Sequence, residues 1–525
     1  MKVLIADRVS PSCSEVLRRS GLEPVVRTGL RGAALLRQVA GVEGIIVRSD
    51  TRITEEVIAA ARRLRAVGRA GAGVDNIDVP AATRRGIVVM NAPGENTISA
   101  AEHTLSMILA LARRIPHADR SVRSGSWERS KFLGVELFGK TLGVVGLGKV
   151  GREVAARARA FGMEVIGCDP VVSEEMGSRI GVTLVSLRTI LERSDFITLH
   201  TPLTEATRHL IGRAELERCR DGVRIANVAR GGIIDEAALV AAIASGKVGG
   251  AALDVFEVEP PAGSPLLELD SVILTPHLGA STREAQEKVG TRIASQIAGY
   301  LKEGVVVNAV NMEGVDPKIL PATQPFRDLC ERMGRFLAAL TRGRVEEILV
   351  EYSGEVLDYP TRPLTASLVK GYLQDRLSDP VNAVNAMLLA RESGVRVHET
   401  RAAEAQDFAS LVSVTLKGRD GSRSVAGTLF GKREPRLVRL DEYHLDAIPK
   451  GAMLIVSNDD RPGMVGRIGT VLGHAEVNIA YMSLGRDRSG GRAIAILNLD
   501  APLPAEILRD ITSIDGVLWA ESVTL

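Results

Sequence analysis

The chain has little of several features that would point to particular classes of protein. Aromatic residues make up 3% of its 525 residues, so we expect cores built from Val, Ile, Leu and Ala. Lysine and arginine total 66 and aspartate and glutamate total 64, which gives a formal net charge of +2. This balance offers no electrostatic case for a nucleic acid or a membrane as partner. No uninterrupted apolar run is long enough to span a bilayer.

Cysteine is also scarce. Cys13, Cys168, Cys219 and Cys330 are scattered, without CxxC or metal-ligand spacing. This pattern fits a reducing compartment better than a disulfide framework, and it gives no metal site. The first seven residues are typical of a strand and are interrupted too soon for a signal peptide. We therefore expect a cytoplasmic protein.

The length and the order of predicted elements divide the chain into parts. A chain of 525 residues should form about three or four domains. Residues 1–96 alternate short apolar runs with helices, and a later helix leads back to them. We therefore expect a discontinuous, flavodoxin-like substrate-binding domain of residues 1–96 and 286–305. Residues 97–285 begin with a predicted helix, Thr97–Arg114, and are expected to form a dinucleotide-binding domain of the Rossmann type.

Six apolar segments of residues 97–285 are predicted to form the doubly wound parallel sheet of this α/β domain. They are Thr141–Val145, Glu164–Cys168, Phe196–Leu199, Arg224–Asn227, Ala251–Val255 and Val272–Leu274. Six parallel strands with helices between them make a complete dinucleotide-binding sheet.

The rest of the chain is predicted to form two further domains. Residues 306–447 indicate an α+β intervening domain, with helices at Leu368–Leu377 and Val381–Ser393 before a β-rich stretch. Asp420-Gly421 in that stretch is typical of a type I′ hairpin turn. Residues 450–525 follow the order strand, helix, strand, strand, helix, strand, which is typical of a ferredoxin-like βαββαβ domain.

A glycine fingerprint follows the first of the six strands. Gly146, Gly148 and Gly151 form the pattern GxGxxG between that strand and a helix. The helix has an apolar stripe of Val150, Val154, Ala158 and Phe161. Glycines let the backbone turn tightly and approach a pyrophosphate, which the helix N-terminus then stabilises. This context favours a dinucleotide site over a purely structural turn.

Asp169 indicates which dinucleotide binds. It ends the next strand, where a carboxylate accepts hydrogen bonds from both ribose hydroxyls and repels a 2′-phosphate. The residues after it, Pro170-Val171-Val172, supply no cation for such a phosphate. We therefore predict NAD, rather than NADP, as the cofactor.

Two later strand ends carry further candidates for cofactor contacts. Thr201 and Pro202 are expected to line the nicotinamide-ribose or the adenine side, beside His200 as a structural histidine. Asp254 has two interpretations of equal weight. It hydrogen-bonds the nicotinamide carboxamide, or it caps a turn.

An imidazole, a carboxylate and a guanidinium at the carboxyl ends of strands form the candidate catalytic set. His277 would take the proton of a substrate hydroxyl, Glu259 would hold His277 in one tautomer, and Arg230 would clamp a substrate carboxylate. These are the groups that hydride transfer to or from a 2-hydroxy acid needs. Each residue alone also fits an ion pair, a loop acid or a cap, but their occurrence on one sheet edge favours catalysis.

Four motifs resemble those of the D-isomer-specific 2-hydroxyacid dehydrogenases. They are Gly146–Gly151, Asn227–Asp235, Ala252–Pro260 and Pro276–Ser281. With its two extra carboxyl-terminal domains, the chain resembles the long form within that family over essentially its whole length. The resemblance implies NAD-dependent oxidation of D-3-phosphoglycerate to 3-phosphohydroxypyruvate, the first step of L-serine synthesis. It also admits 2-ketoglutarate as a substrate for reduction in reverse.

The resemblance implies further binding residues. Around the cofactor they are Lys149, Val150, Val228, Ala229, Arg230, His277, Gly279 and Ala280. For the phosphorylated substrate they are Arg48, Arg69, Gly71, Gly73, Asn96, Arg129 and Lys131. The last two would act from the same or a neighbouring subunit. The alternatives are surface arginines at 48 and 69 and a helix cap at 96.

Residues Ile455–Gly463 and Val477–Ile479 resemble the ACT regulatory module. This implies feedback inhibition by L-serine, held by Asn458 and Asp460 together with Asn478 of a partner module. The alternative is a dimerisation unit without a ligand.

Two further predictions concern a basic run in the intervening domain and the oligomeric state. The run consists of Lys432, Arg433, Arg436, Arg439 and His444, which is typical of a solvated face, with an anion site as the alternative. Pairing of the cofactor domains and of the ACT modules would generate a homotetramer.

Two other functions remain open. A hydroxypyruvate or glyoxylate reductase has the same three catalytic residues but normally lacks the two extra domains. An NAD-sensing corepressor, like the C-terminal-binding proteins, uses the same fold but carries no ACT module.

Overall fold

The computed structural model describes residues 1–315, 318–378, 380–402, 407–419 and 421–525. They form two compact units. One contains residues 1–69, 73–91 and 293–525, and the other contains residues 70–72 and 92–292. Within the described residues, no helix combines the length and the apolar character needed to cross a bilayer.

The first unit begins with a parallel five-stranded sheet of order β2-β1-β3-β4-β5, as in flavodoxin-like folds. Its elements are β1 Lys2–Ile5, α1 Pro11–Arg19, β2 Glu23–Val26, α2 Gly32–Val39, β3 Gly44–Val47, α3 Glu55–Ala60, β4 Ala66–Arg69, α4 Val79–Arg84 and β5 Val88–Asn91. The helix that contains Ile293, within Arg283–Glu303, packs closely on this sheet. The closeness is evident at Gly68, where a Cβ would lie 2.7 Å from the side chain of Ile293.

The second unit contains a seven-stranded parallel sheet of order β12-β11-β10-β9-β6-β7-β8. Its elements are α5 Thr97–Arg113, α6 Ile115–Arg123, β6 Thr141–Val145, α7 Lys149–Ala160, β7 Glu164–Cys168, α8 Glu174–Ile180, β8 Thr183–Leu184, α9 Leu187–Arg193, β9 Phe196–Leu199, α10 Arg213–Arg218, β10 Val223–Asn227, α11 Glu236–Ala244, β11 Val248–Leu253 and β12 Val272–Leu274. The next helix, α12 Arg283–Glu303, begins in this unit, and its residues from Ile293 onward belong to the first. Short 3-10 helices lie at Arg129–Phe132 and Pro265–Glu268.

The predicted Rossmann class is confirmed, since the first strand lies centrally and the chain winds outward on both sides of it. The prediction of six strands was short by one, because β8 has only two residues and gives no pattern. The apolar stripe of α7 was partly wrong. Val154 and Ala158 are buried, but Phe161 is the C-cap residue and is 44% exposed.

The third part is a mixed six-stranded sheet of order β14-β13-β15-β16-β17-β18, covered by helices. Its elements are α13 Leu320–Leu340, β13 Val345–Gly354, α14 Arg362–Leu373, α15 Ala386–Glu392, β14 Arg396–Ala402, β15 Ser410–Gly418, β16 Gly421–Phe430, β17 Glu434–Leu440 and β18 Tyr443–Ala447, with a 3-10 turn at Glu355–Asp358. The predicted turn residue Asp420 lies outside the described residues, but the strands beside it pair antiparallel. The basic run is not a uniformly solvated face, because Arg436 is largely buried and pairs with Asp446 at 3.3 Å.

The carboxyl-terminal part confirms the predicted βαββαβ order. Its elements are β19 Ala452–Asp459, α16 Met464–His474, β20 Ile479–Arg486, β21 Arg492–Leu499, α17 Ala505–Thr512 and β22 Val517–Thr524. The strands form an antiparallel sheet of order β20-β21-β19-β22, with the first strand inside. This arrangement is that of a ferredoxin-like domain.

Candidate active site

The glycine turn between β6 and α7 fits a dinucleotide. Gly146 has a φ of +93°, and a Cβ there would lie 2.6 Å from the carbonyl oxygen of His200. A Cβ at Gly151 would overlap the carbonyl oxygen of Gly146, so α7 could not start so close to the turn. Gly148, the N-cap residue, faces open space at its Cβ position. The backbone is therefore accessible where a pyrophosphate would meet the helix N-terminus.

Asp169 connects the end of β7 to this turn. One carboxylate oxygen accepts from the backbone amide of Leu147 at 2.8 Å, and the other accepts from the amide of Val171 at 2.8 Å. The charge is thus fixed beside the glycine turn. A carboxylate in this place suits NAD and disfavours a 2′-phosphate.

The other predicted cofactor residues of the second unit lie in loops after its strands or at the start of α7. They are Lys149, Val150, Thr201, Pro202, Val228, Ala229, Gly279 and Ala280. His200, beside two of them, has its ring nitrogen Nε2 at 3.0 Å from the hydroxyl of Thr198, which supports the structural role predicted for it. Desolvation lowers the pKa of His200 to about 4, so the ring is neutral.

His277 and Glu259 form a hydrogen-bonded pair. Nδ1 of His277 lies 2.9 Å from Oε2 of Glu259, whose other oxygen accepts from the amide of Phe256 at 3.2 Å. Partial burial acts to raise the pKa of Glu259, but the hydrogen bond with His277, the charge of that ring and the Phe256 amide together lower it. An ionised carboxylate at Nδ1 leaves Nε2 of His277 for proton transfer. Both side chains are about two-fifths exposed, which leaves them accessible to a substrate.

The backbone at His277 has an uncommon conformation. Its φ is +55°, in the left-handed region that residues other than glycine seldom adopt. Its amide donates to the carbonyl oxygens of Asp254 at 2.9 Å and Thr275 at 3.0 Å. Such conformations cluster at functional sites, where the surrounding structure holds them in place.

Asp254 caps the loop that carries His277. Its carboxylate is completely buried and accepts from the amides of Leu278 at 2.7 Å and Gly279 at 2.9 Å. Of the two interpretations given by the sequence, the structure supports the turn cap. A contact of Asp254 with the nicotinamide carboxamide stays a prediction.

Arg230 lies on a tight loop after β10. The side chain of Asn227 accepts from the amide of Ala229 at 3.0 Å and donates to the carbonyl of Arg230 at 2.8 Å, which holds the loop across its base. A Cβ at Gly231 would overlap the carbonyl oxygen of Phe256, so the Arg230 loop packs directly on the segment that leads to Glu259. The structure thereby brings the loops of Arg230, Glu259 and His277 to one edge of the sheet.

Two predicted phosphate-binding residues belong to the first unit. Arg69 ends β4 and Arg48 follows β3, and these parallel strands are neighbours with Val47 paired to Arg69. The backbone of Arg48 is held from two sides. Its amide donates to Asp7 at 2.6 Å, and its carbonyl accepts from the side chain of Asn76 at 2.9 Å. The two arginines therefore lie at adjacent strand ends, and Gly73 follows in the loop after β4.

The other predicted substrate residues belong to the second unit. The carbonyl of Gly71 accepts from the amide of Ala92 at 2.9 Å. Asn96 occupies the N-cap position of α5, but its side chain makes no capping hydrogen bond. Arg129 and Lys131 are exposed. Arg129 lies over the ring of Trp127 at 5.5 Å, and Lys131 pairs with Glu128 at 2.6 Å.

The predicted effector residues lie at three places in the ferredoxin-like domain. Asn458 is buried near the end of β19 and donates to the carbonyl of Asp459 at 2.7 Å. Asp460 accepts from the amide of Gly490 at 3.0 Å, and Asn478 donates to Asp500 at 2.8 Å. Within one chain Asn478 precedes β20 at the end of the sheet opposite Asn458, and its action from a partner module stays a prediction.

Two residues near the site were missed by the sequence analysis. His103 on α5 and Thr275 after β12 both hydrogen-bond the carboxylate of Asp254. His103 has no distinguishing signal, because it is a single half-buried histidine on a helix whose buried residues, apart from Thr104, are apolar. Only the packing of α5 on the sheet shows its partner.

Comparison with known proteins agrees with this geometry. The family model described as "D-isomer specific 2-hydroxyacid dehydrogenase, NAD binding domain" matches residues 105–279. A D-lactate dehydrogenase from Aquifex aeolicus, solved in complex with NAD and lactic acid, is 31% identical with a TM-score of 0.52, over 59% of this chain and 98% of that chain. The fold and the site define an NAD-dependent oxidoreductase of the 2-hydroxyacid dehydrogenase class.

The likeness extends over both additional domains. Models of the "D-3-phosphoglycerate dehydrogenase intervening domain" and of the ACT domain match residues 322–441 and 452–516. D-3-phosphoglycerate dehydrogenase of Archaeoglobus fulgidus is 46% identical over 100% of both chains, and that of Synechocystis is 44% identical over 100% of this chain and 95% of its own. The chain belongs to the D-3-phosphoglycerate dehydrogenase family, in the long form with an ACT domain. The predicted family, enzyme class and cofactor are thereby confirmed.

Proposed function

We propose that the chain oxidises D-3-phosphoglycerate to 3-phosphohydroxypyruvate with NAD, the first step of L-serine biosynthesis, and that Arg230, Glu259 and His277 carry the reaction. The observation that supports this most strongly is the 2.9 Å hydrogen bond between His277 and Glu259 at the edge of the dinucleotide-binding sheet. It provides a base with a fixed tautomer. The full-length relatives that bear this enzyme name indicate the substrate.

Each of the three residues has one role. Nε2 of His277 accepts the proton of the C2 hydroxyl, and Glu259 stabilises the imidazolium that results. Arg230 binds the substrate carboxylate and polarises the C2 oxygen as it becomes a carbonyl. Bound NAD supplies the acceptor for the hydride that leaves C2. In the reverse direction the His277 imidazolium returns the proton, so the same residues would serve the reduction of 2-ketoglutarate.

The residues assigned to the cofactor are those of the glycine turn and of the loops after the strands. They are Gly146, Gly148, Lys149, Val150, Gly151, Asp169, Thr201, Pro202, Val228, Ala229, Asp254, Gly279 and Ala280, together with the catalytic residues Arg230 and His277. The close approach that Gly151 allows, together with the fixed carboxylate of Asp169, supports NAD at this turn.

Cations that follow adjacent strands are assigned to the substrate phosphate. Arg48 and Arg69 suit this role, since β3 and β4 are neighbours in the first unit. Gly71, Gly73 and Asn96 would bind the rest of the substrate, and Arg129 or Lys131 would close over it.

We also propose that L-serine regulates the enzyme through the ACT domain, with Asn458, Asp460 and a partner's Asn478 as its contacts. Pairing of cofactor domains and of ACT domains would make a cytoplasmic homotetramer. The match to the ACT family model supports an amino acid as effector.

The test is NADH formation by the purified full-length chain. D-3-Phosphoglycerate, D-lactate and D-glycerate are compared as substrates, each with and without millimolar L-serine. We expect D-3-phosphoglycerate to have the highest kcat/KM and serine to inhibit. Faster oxidation of D-lactate would contradict the proposed substrate, whereas insensitivity to serine would contradict the regulatory proposal alone.

A further inference from the structure

The loop Thr275–Gly279, which carries His277, is held by one buried charge. The carboxylate of Asp254 has no exposure to solvent and accepts from the amides of Leu278 and Gly279. The hydroxyl of Thr275 donates to the same carboxylate at 2.6 Å. An ionised carboxylate in the interior is costly unless its oxygens are hydrogen-bonded and its charge is compensated.

His103 is the one ionisable group among these donors to Asp254. Its Nε2 lies 3.2 Å from Oδ1 of Asp254 and 3.2 Å from the hydroxyl of Thr275, and its side chain is 19% exposed. Burial acts to raise the pKa of Asp254, and the hydrogen bond from His103 is the largest of the contributions that together lower it. Removing this donor would leave a buried charge with fewer partners.

His103 also connects the loop to a rigid element. Helix α5 buries eight side chains, and its residues Leu105, Ile108 and Leu111 share a core with Ala252 and Ile273 of the sheet. The amides of His277, Leu278 and Gly279 all donate to Asp254, the first to its carbonyl and the other two to its carboxylate, so the position of the loop depends on that residue. A side chain on α5 that bonds the carboxylate beneath the loop therefore limits the positions that the loop can take.

We propose that His103 is a positioning residue for the reaction. By donating from Nε2 to Asp254, it anchors the loop Thr275–Gly279 to α5 and so keeps His277 at hydrogen-bond distance from Glu259. This inference rests on the proposed function, because the residue that His103 positions, His277, is the proposed base.

The test compares two substitutions at one position. Phenylalanine fills the volume of the ring without a donor, whereas glutamine places an amide N–H near the position of Nε2. We expect His103→Phe to lower kcat about tenfold, equivalent to ~1.4 kcal/mol, with KM values changed less than about twofold. His103→Gln should recover kcat to within about threefold of the parent, since it restores one hydrogen bond. Ser106→Ala is the control, because that exposed hydroxyl donates within its own helix, to the carbonyl of Glu102.

Two further readouts separate positioning from a merely structural role. With C2-deuterated D-3-phosphoglycerate, the isotope effect on kcat should rise in His103→Phe, because a misplaced base slows the chemical step. Hydrogen exchange followed by mass spectrometry should show faster exchange of the amides of residues 277–279. The exchange measurement needs no turnover, so it tests the anchor even if the parent does not oxidise D-3-phosphoglycerate.

Each outcome decides the proposal. A phenylalanine variant with parental kcat would overturn it, whether or not its Tm is lower. Parental exchange of the loop amides, or a glutamine variant as slow as the phenylalanine variant, would also overturn it. Should His103→Phe not fold, His103→Leu takes its place with the same expectations.

Discussion

Substitution of Glu259 by glutamine tests how much the carboxylate contributes to the base. The variant keeps the size of the side chain and an oxygen that can still accept from His277, but it removes the negative charge. Because the imidazolium forms only as the proton moves, the charge matters more in the transition state than in the bound substrate. We therefore expect the loss to appear in kcat rather than in the KM for NAD.

The magnitude follows from the geometry. A distance of 2.9 Å from Nδ1 to Oε2 is that of a charge-assisted hydrogen bond. Such bonds contribute about 1.5–3 kcal/mol. With both side chains about two-fifths exposed, solvent screening places this pair near the lower limit. About 1.5–2 kcal/mol corresponds to a loss of roughly 10- to 30-fold in kcat.

The assay has a matched control two residues away. Glu257 also pairs with a histidine, His209, at 3.1 Å, and both side chains are similarly exposed. Initial rates of NADH formation are measured for Glu259→Gln and Glu257→Gln at saturating NAD, with Tm as a check of folding. We expect Glu257→Gln to stay within about twofold of the parent. A Glu259→Gln variant as fast as Glu257→Gln would refute the assigned role of Glu259.

Three further substitutions test other parts of the site. Gly151→Ala forces a Cβ against the carbonyl of Gly146. Overpacking typically costs about 1–3 kcal/mol. The Kd of NAD, measured by fluorescence titration, should therefore rise about tenfold. An unchanged Kd would count against the turn as the cofactor site. Asp169→Asn removes the charge that repels a 2′-phosphate. The ratio of kcat/KM with NAD to kcat/KM with NADP should therefore fall about tenfold. A constant ratio would contradict the proposal that Asp169 selects NAD over NADP. Arg230→Lys keeps the charge but loses the planar guanidinium that can bind a carboxylate through two hydrogen bonds. The kcat/KM for D-3-phosphoglycerate should therefore fall roughly 30- to 100-fold. Turnover at the parental rate would contradict the role of Arg230 in binding the substrate carboxylate.

Much of the cofactor domain could be predicted from the sequence because its strands are buried on both faces. Thr141–Val145, Glu164–Cys168, Phe196–Leu199 and Val272–Leu274 agree with the structure residue for residue. Parallel strands covered by helices appear as continuous apolar runs bounded by loops, and that pattern is local.

Elements with weaker local patterns were missed. Strand β8 has two residues, too few for any periodicity. Helix α13, Leu320–Leu340, contains Pro325 in its interior, which interrupts the helical pattern although nine residues of the helix are buried. The helix predicted at Leu368–Leu377 begins earlier, at Arg362, because Pro363 occupies its first turn, where proline is tolerated.

The candidate site also has parts that a local pattern predicts and parts that depend on tertiary packing. The placement of Arg230, Glu259 and His277 at one sheet edge could be predicted, because residues that follow parallel strands meet at one edge whatever the distant packing. Their catalytic roles stay predictions. The contact of His103 with Asp254 joins residues 151 positions apart and depends on where α5 packs on the sheet. No local pattern contains that information.

The most direct test of the central claim is single-turnover formation of NADH by His277→Ala with saturating D-3-phosphoglycerate. Loss of the general base should slow this step about 10²- to 10⁴-fold, while the variant still binds NAD and its Tm remains close to that of the parent. A folded His277→Ala enzyme that binds NAD and forms NADH at the parental rate would contradict the assignment of His277 as the proton acceptor.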